Sequence, residues 1–173
     1  MNLREKDISE FSFNPFTKIG KEWMLISACD EKRGDKKINT MTASWGGVGV
    51  LWGKNVFFCF VRPQRFTKEF IDAQDTVTLS FFDEKYRDAL TICGRRSGRD
   101  SDKITDAGLC AKIRDGAVFF DEARLTVVGK KLFAQELDEK SFIDPSLVGI
   151  NYPAKDFHTM YVCEITGVYE SIS

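Results

Sequence analysis

The sequence predicts a mainly β protein with a few short helices. Runs rich in β-branched and aromatic residues recur along the chain, whereas segments with helical spacing are brief. These segments do not alternate as strand–helix–strand units, which favours a closed or half-closed β architecture over a parallel sheet. A single domain over residues 1–173 is expected, because domains usually have about 100 to 200 residues.

The first predicted strands lie in the N-terminal third of the chain. Residues 23–29 form a short apolar run that leads into the charged turn of residues 30–37. Segment 39–52 is rich in Thr, Gly and Val, and segment 56–61 is β-branched and aromatic. We expect these two segments to pair as a hairpin, because residues 53–55 (Gly-Lys-Asn) supply turn residues between them.

Three short helices are predicted from apolar residues on one face and capping residues at the ends. They are expected over residues 66–73, from the N-cap Asp83 to Gly94, and from Asp100 or Ser101 to Ala107, closed by Gly108.

The remaining strands are recognised by β-branched and aromatic content. They are predicted at residues 76–82, 117–120, 124–137 and 158–169. Residues 138–156 contain two prolines and are expected to form a connecting excursion.

Charge and hydropathy exclude several classes of function. With 25 Lys and Arg against 26 Asp and Glu, the chain has no net basic field to attract nucleic acid or an anionic membrane. No apolar run approaches the roughly 18 residues of a membrane span, and the first residues lack the apolar segment of a signal peptide. We therefore expect a soluble, cytoplasmic protein.

The cysteines indicate neither a disulfide framework nor a metal site. They are odd in number, widely spaced and without a C-x-x-C pair, which favours free thiols in a reducing compartment. They stand at positions 29, 59, 93, 110 and 163.

The glycines of segment 46–53 suggest a dinucleotide fingerprint but do not form one. The pattern G-x-G-x-x-G that begins at Gly47 would need a third glycine where Trp52 stands. Bulges or close strand contacts in a curved sheet explain these glycines better.

Three polar blocks between apolar stretches carry the candidate chemistry: Asn39-Thr-Met-Thr-Ala-Ser-Trp45, Arg62-Pro-Gln-Arg-Phe-Thr67 and Ser97-Gly-Arg-Asp-Ser-Asp-Lys103. In the second, Arg62 and Arg65 precede a predicted helix start, an arrangement suited to a phosphate. The local pattern leaves open whether both arginines are instead solvated or paired with nearby acids. In the third block, turn amides and the Lys103 ammonium could converge on an anion.

The three blocks, in this order and spacing, resemble those of the flavin reductase-like family, and within it the flavoredoxin type. The resemblance implies an FMN-binding split β-barrel of Greek-key type, with FMN as cofactor at the interface of a homodimer. The family often has Phe after the lysine of the third block, where this chain has Ile104. The cofactor-binding residues that the resemblance implies are Asn39, Met41, Thr42, Ala43, Trp45, Arg62, Gln64, Arg65, Thr67, Ser97, Gly98 and Lys103.

His158 is the single histidine of the chain. Taken alone, it is more typical of a surface or strand-end residue than of a catalytic one. The segment from His158 to Glu164, however, resembles the family string H-T-x-x-V-G-E, with Cys163 in place of its glycine. The resemblance implies that His158 stands near the flavin and assists docking of a nicotinamide or another substrate.

The leading functional hypothesis is therefore an FMN oxidoreductase that accepts hydride from NAD(P)H and passes electrons to free flavin or to a protein acceptor. A flavoredoxin-like electron carrier and a flavin-binding protein without turnover are the alternatives. The sequence does not separate the three, because the nicotinamide pocket of this family has no strict motif.

Overall fold

A computed structural model of the protein describes residues 3–172, in which ten strands and five α-helices follow one another. The strands are β1 (Leu3–Lys6), β2 (Met24–Cys29), β3 (Ile38–Ala43), β4 (Gly46–Leu51), β5 (Lys54–Val61), β6 (Thr76–Phe81), β7 (Ala111–Arg114), β8 (Ala117–Phe120), β9 (Leu125–Glu136) and β10 (Thr159–Ser171). The helices are α1 (Pro15–Thr17), α2 (Phe66–Ala73), α3 (Arg87–Arg95), α4 (Lys103–Asp106) and α5 (Ser146–Asn151). Tighter 3₁₀ turns lie at Ile8–Glu10, Glu31–Lys36, Glu84–Tyr86 and Glu139–Ser141, and a π-helical turn lies at Lys18–Glu22.

One large antiparallel sheet dominates the molecule, which confirms the mainly β class with short helices. Its strand order is β3-β2-β6-β9-β10-β5-β4, and β7 and β8 form a separate hairpin. The long strand β10 pairs with β5 through its first half and with β1 through its second half. Register shifts between β9 and β10 at Val162/Cys163 and at Ile165/Gly167 indicate bulges, which bend a sheet.

The apolar core has two main parts. The larger one contains Phe57, Phe81 and Tyr161 and includes the buried face of α2. The other contains Leu25 and Phe120 and includes the buried face of α3 together with β8. Both helices also contact β3, so the end of this strand, the start of α2 and the end of α3 come together.

The predicted hairpin of segments 39–52 and 56–61 is wrong in its first half. Strand β3 pairs with β2, and only β4 pairs with β5. The break occurs at Gly46, whose φ is 153°, and a Cβ there would lie 2.6 Å from the Phe58 carbonyl oxygen. The turn itself is tighter than expected, because Trp52 and Gly53 both have positive φ, as a two-residue hairpin turn requires.

Most other predicted elements are confirmed, with differences at their ends. The helix over 66–73 has the expected bounds, and the four later strands differ from the prediction by at most two residues at each end. In α3, Gly94 lies inside the helix and not after it, because the Arg96 amide still donates to the Ile92 carbonyl. Helix α4 begins later than predicted, since Asp102 is its N-cap and accepts from the Thr105 amide.

The elements missed by sequence reasoning are short: β1, β7, α1 and α5 have between 3 and 6 residues. Within residues 3–172, no helix is both long enough and apolar enough to cross a membrane. All five cysteines are free thiols, and four of them are buried.

Candidate functional site

The three polar blocks converge at the meeting point of β3, α2 and α3, where they line two clefts that share Arg62 and Arg65. We call the first, of about 420 Å³, the cationic cleft; it is lined by Arg62, Gln64, Arg65, Phe66, Thr67, Arg95, Arg96, Ser97 and Lys103. We call the second, of about 260 Å³, the aromatic cleft; it is lined by Met41, Thr42, Ala43, Ser44, Trp45, Phe60, Arg62, Arg65 and His158.

Lys103 and Arg65 are cations without an acidic partner. Among residues 3–172, no carboxylate lies within 4.0 Å of either side chain. Lys103 is only 4% exposed, and this burial lowers its pKa from 10.5 to about 8. Burial, and then the nearby Arg62, also lower the pKa of Arg65. A site with two uncompensated cations favours an anionic ligand.

The C-terminus of α3 supports both cations in place of an acid. The Lys103 ammonium donates to the carbonyls of Cys93 and Arg96, each at 3.2 Å, and Arg65 Nη1 donates to the Gly94 carbonyl at 2.6 Å. The last carbonyls of a helix lack intrahelical partners and carry partial negative charge, so they stabilise cations. Because the carbonyl groups are neutral, they stabilise the two cations without cancelling the net positive charge of the cleft.

Arg62 is compensated, unlike Arg65. Its Nη1 donates to Asp156 Oδ2 at 2.5 Å and its Nη2 to the Asn151 carbonyl at 2.8 Å. Gln64 donates to the same Asp156 oxygen at 2.8 Å. Hydrogen bonds from Gln64 and then Arg62 hold the pKa of Asp156 below its ordinary value. Of the alternatives left open by the sequence, pairing with an acid therefore applies to Arg62 and not to Arg65.

Buried polar contacts hold the three blocks together. Asn39 Nδ2 donates to Thr67 Oγ1 at 3.1 Å, and both side chains are buried. Gly98 packs so closely that a Cβ there would lie 2.3 Å from Asn39 Oδ1. A side chain at 98 would force the buried Asn39 amide to move and would disturb its bond to Thr67, which favours glycine at this position.

Strand β3 is also fastened to α3. Thr42 Oγ1 donates to the Leu90 carbonyl, and a Cβ at Gly94 would lie 3.3 Å from the Thr42 Cβ. Residues 42–44 line a further cleft of about 280 Å³, which Trp23 also lines. Ser97 accepts from the Arg99 amide at 3.2 Å and so shapes the turn that leads to Lys103.

His158 lies in the aromatic cleft, immediately before β10. The sequence alone suggests a surface or strand-end histidine. His158 does stand at a strand end, but it is only 8% exposed and is therefore not a surface residue. Its ring lies 5.0 Å from that of Trp45 and 6.4 Å from that of Phe60, between centroids. Burial, followed by the charge of Arg62, lowers the pKa of His158 to about 4, so the imidazole is neutral near pH 7.

Sequence reasoning missed Trp23, Tyr152 and Asp156. Trp23 precedes β2 with a φ of 70°, rare for a bulky residue, and residue type alone does not reveal this conformation. Tyr152 and Asp156 belong to the excursion of residues 138–156, whose sequence has no periodicity that predicts where its side chains point.

Comparison with known proteins identifies the fold. No protein-family profile matches the sequence, and no curated protein matches it. Solved structures do match. A flavin reductase-like FMN-binding protein from Shewanella baltica superimposes with a TM-score of 0.67 at 12% identity, covering 98% of this chain and 78% of the other.

Two further structures agree with the first. A split-barrel flavin reductase-like protein from Shewanella frigidimarina has a TM-score of 0.67 at 20% identity, covering 91% of this chain and 72% of its own. A flavoredoxin from Methanosarcina acetivorans has a TM-score of 0.64 at 18% identity, covering 87% and 68%. The fold is thus that of FMN-binding split barrels, as the sequence resemblance implied.

Proposed function

We propose that the protein binds FMN and acts as an oxidoreductase that takes hydride from NAD(P)H and passes electrons to free flavin or to a protein acceptor. The observation that carries this proposal is the pair of uncompensated cations, Arg65 and Lys103, beside a cleft walled by Trp45 and His158. FMN joins one terminal phosphate to a planar ring, which matches a cationic cleft that shares Arg62 and Arg65 with an aromatic one. The similarity to FMN-binding split barrels supports the same cofactor.

In this proposal the phosphate binds at Arg65 and Lys103, with Ser97 and Arg95 within the same cleft. Gln64 and Arg62 can contact the phosphate only if their hydrogen bonds to Asp156 break or are shared with the phosphate. The ring binds along residues 41–45, which line the aromatic cleft, and Gly98, Asn39 and Thr67 shape the adjoining backbone. The proposed contacts provide one phosphate site, which favours FMN over FAD.

The bound flavin supplies the redox chemistry, since it accepts a hydride and releases electrons. The protein binds and orients the flavin, and it excludes water from the ring. Trp45 and Phe60 supply apolar surface on the ring side of the cleft. His158, neutral near pH 7, holds a proton on one ring nitrogen and can donate it in a hydrogen bond without adding charge.

The decisive experiment starts with the purified protein. We expect a yellow FMN spectrum, tighter binding of FMN than of FAD, and bleaching when NADH or NADPH is added without oxygen. Bleaching only with dithionite or with a protein partner would indicate an electron carrier instead. Failure to take up any flavin would contradict flavin binding altogether. We also propose a cytoplasmic location, which free thiols are consistent with.

Replacing Arg65 with Ala should weaken FMN binding by about 1.5 kcal/mol, the lower end for a hydrogen bond to a charged group, because Arg65 is half-buried and partly screened by water. Fluorescence titration of flavin-free protein measures the change. Arg114→Ala is the matched control, since Arg114 is exposed on β7 and pairs with Asp115. Equal affinities in the Arg65 variant and the wild type would remove Arg65 from the site.

A homodimer is the second part of the proposal. The hairpin β4–β5 exposes Val50 and Trp52, and the Trp52 ring lies 6.1 Å from that of Phe133 on β9, which is also exposed. Strand β4 is an edge of the sheet. Exposed apolar side chains beside an unpaired edge are typical of a protein–protein interface.

We therefore expect light scattering at micromolar concentration to give the mass of two chains. Trp52→Glu should shift the mass toward one chain, because Trp52 is 60% exposed in the single chain and would be buried in the dimer. Phe16→Glu serves as the control, since Phe16 is exposed on α1, outside this hairpin. A monomeric wild type would contradict the dimer.

A further inference from the structure

Tyr152 makes the one direct side-chain hydrogen bond to His158 that the described residues show. The distance between Tyr152 Oη and His158 Nδ1 is 2.9 Å, and both residues are buried. Tyr152 is the residue that follows α5, at the end of the excursion that leads back to the sheet. The contact therefore joins the excursion to the aromatic cleft.

Packing fixes the phenol ring of Tyr152 firmly. Its centroid lies 4.8 Å from that of Phe157 and 5.8 Å from that of Phe142, and the Arg62 guanidinium lies 5.2 Å from its centre. A ring held on three sides points its hydroxyl in one direction, and here that direction is His158 Nδ1. The hydroxyl is thus preorganised.

The direction of the hydrogen bond follows from the available acceptors. Among residues 3–172, Nδ1 of His158 is the hydrogen-bond partner of the Tyr152 hydroxyl. If Nδ1–H donated instead, the phenolic proton would have no protein acceptor in a residue that is 3% exposed. The arrangement that satisfies both groups has the phenol donating, so the ring proton resides on Nε2.

The charges around His158 are consistent with a neutral ring. Arg62 and Arg65 approach it from the segment between β5 and α2, and Asp156 and Tyr152 from the excursion. The two arginines oppose an imidazolium and Asp156 favours it, while Asp156 is already engaged by Arg62 and Gln64. A neutral imidazole with Nδ1 occupied has one polar atom left, which is Nε2–H.

We propose that Tyr152 is a positioning residue, whose hydroxyl fixes His158 as the Nε2–H tautomer and thereby presents a neutral N–H donor to the aromatic cleft. The acceptor we assign to that donor is the carboxamide oxygen of the nicotinamide reductant. That assignment rests on the proposed function, whereas the tautomer does not. Tyr152 itself touches neither the reductant nor the flavin in this scheme.

Because His158 is the single histidine of the chain, ¹⁵N-histidine labelling gives one pair of ring signals. In the wild type, long-range ¹H–¹⁵N spectra at pH 7 should show Nε2 protonated and Nδ1 as a hydrogen-bonded acceptor. Tyr152→Phe keeps the packed ring and removes only the hydroxyl, so the Nδ1 signal should move toward that of free imidazole. Tyr86→Phe is the control, because Tyr86 packs against Phe82 and no described residue accepts from its hydroxyl.

A proton on Nδ1 in the wild type, or ring signals unchanged by Tyr152→Phe, would overturn the proposal. The second readout is anaerobic bleaching of the FMN-loaded protein. Tyr152→Phe should slow bleaching by NADH or NADPH about fivefold, the factor that corresponds to one neutral hydrogen bond, and leave bleaching by dithionite unchanged. Altered ring signals with an unaltered NAD(P)H rate would also overturn the positioning role.

Failure of the proposed function and failure of the role assigned to Tyr152 give different results. If the wild type binds no flavin or is not bleached by NAD(P)H, the proposed function fails, and the NMR spectra still decide whether Tyr152 fixes the imidazole. If the wild type is active and the spectra show Nδ1–H, the inference fails alone.

Discussion

Replacing Lys103 with Met should weaken FMN binding by about 3 kcal/mol, roughly a hundredfold, which is the upper end for a charge-assisted hydrogen bond. The upper end applies because the ammonium is 4% exposed and has no carboxylate partner among residues 3–172, so water and competing acids screen it little. Met keeps the unbranched shape of the side chain. The change is measured by titrating flavin-free protein with FMN at pH 7.

Lys112→Met is the matched control for this prediction. Lys112 is half exposed on β7 and pairs with Asp121, away from the cationic cleft. Circular dichroism should show that the Lys103 variant remains folded although the Cys93 and Arg96 carbonyls lose their donor. A folded Lys103→Met protein that binds FMN as tightly as the wild type would exclude Lys103 from the phosphate site.

The same residue predicts a pH dependence of opposite sign for binding and for stability. Because burial lowers the pKa of Lys103 to about 8, the flavin-free protein loses this positive charge as the pH rises through that value. FMN affinity should therefore fall above pH 8, by up to about tenfold per pH unit. Between about 8 and 10.5 the unfolded chain holds more protons than the folded one, so the stability of the flavin-free protein rises with pH. Both slopes should be lost in Lys103→Met.

The second polar block shows what its sequence can and cannot predict. Spacing places Arg62 and Arg65 together before α2, as the structure finds. It does not tell which of them has an acidic partner, since Asp156 lies 94 residues from Arg62 along the chain. Pairing over such a distance depends on the course of the excursion, which has no repeating pattern. The uncompensated cation, Arg65, could therefore be identified only from the folded chain.

Segment 39–52 shows the same limit for the fold. Its composition is that of strand throughout, and this part of the prediction is confirmed for β3 and β4. The chain changes partners between them at Gly46, where the close approach of the Phe58 backbone admits no side chain. Local strand propensity does not predict this contact, because the contact depends on how β4 pairs with β5. The break matters for the site, since Trp45, which lines the aromatic cleft and is 43% exposed, immediately precedes it.

His158 gives the other large expected effect. Replacing it with Leu should slow anaerobic bleaching by NADH or NADPH about a hundredfold, the typical cost of misplacing a reactant by about 1 Å. Leu has a similar volume and retains apolar packing against Trp45 and Phe60. It lacks any N–H, so the reductant loses the donor that orients it. Stopped-flow absorbance of the FMN-loaded protein measures the rate.

His158→Gln separates the donor from the packing, because glutamine is also similar in size but carries an N–H group. We expect it to recover a large part of the lost rate, while bleaching by dithionite stays the same in all three proteins, since a small reductant needs no docking site. The rates should also be flat between pH 6 and 8, because burial keeps the His158 pKa near 4 and the ring neutral throughout this range. Equal NAD(P)H rates for the wild type and the Leu variant would show that His158 only packs the end of its strand.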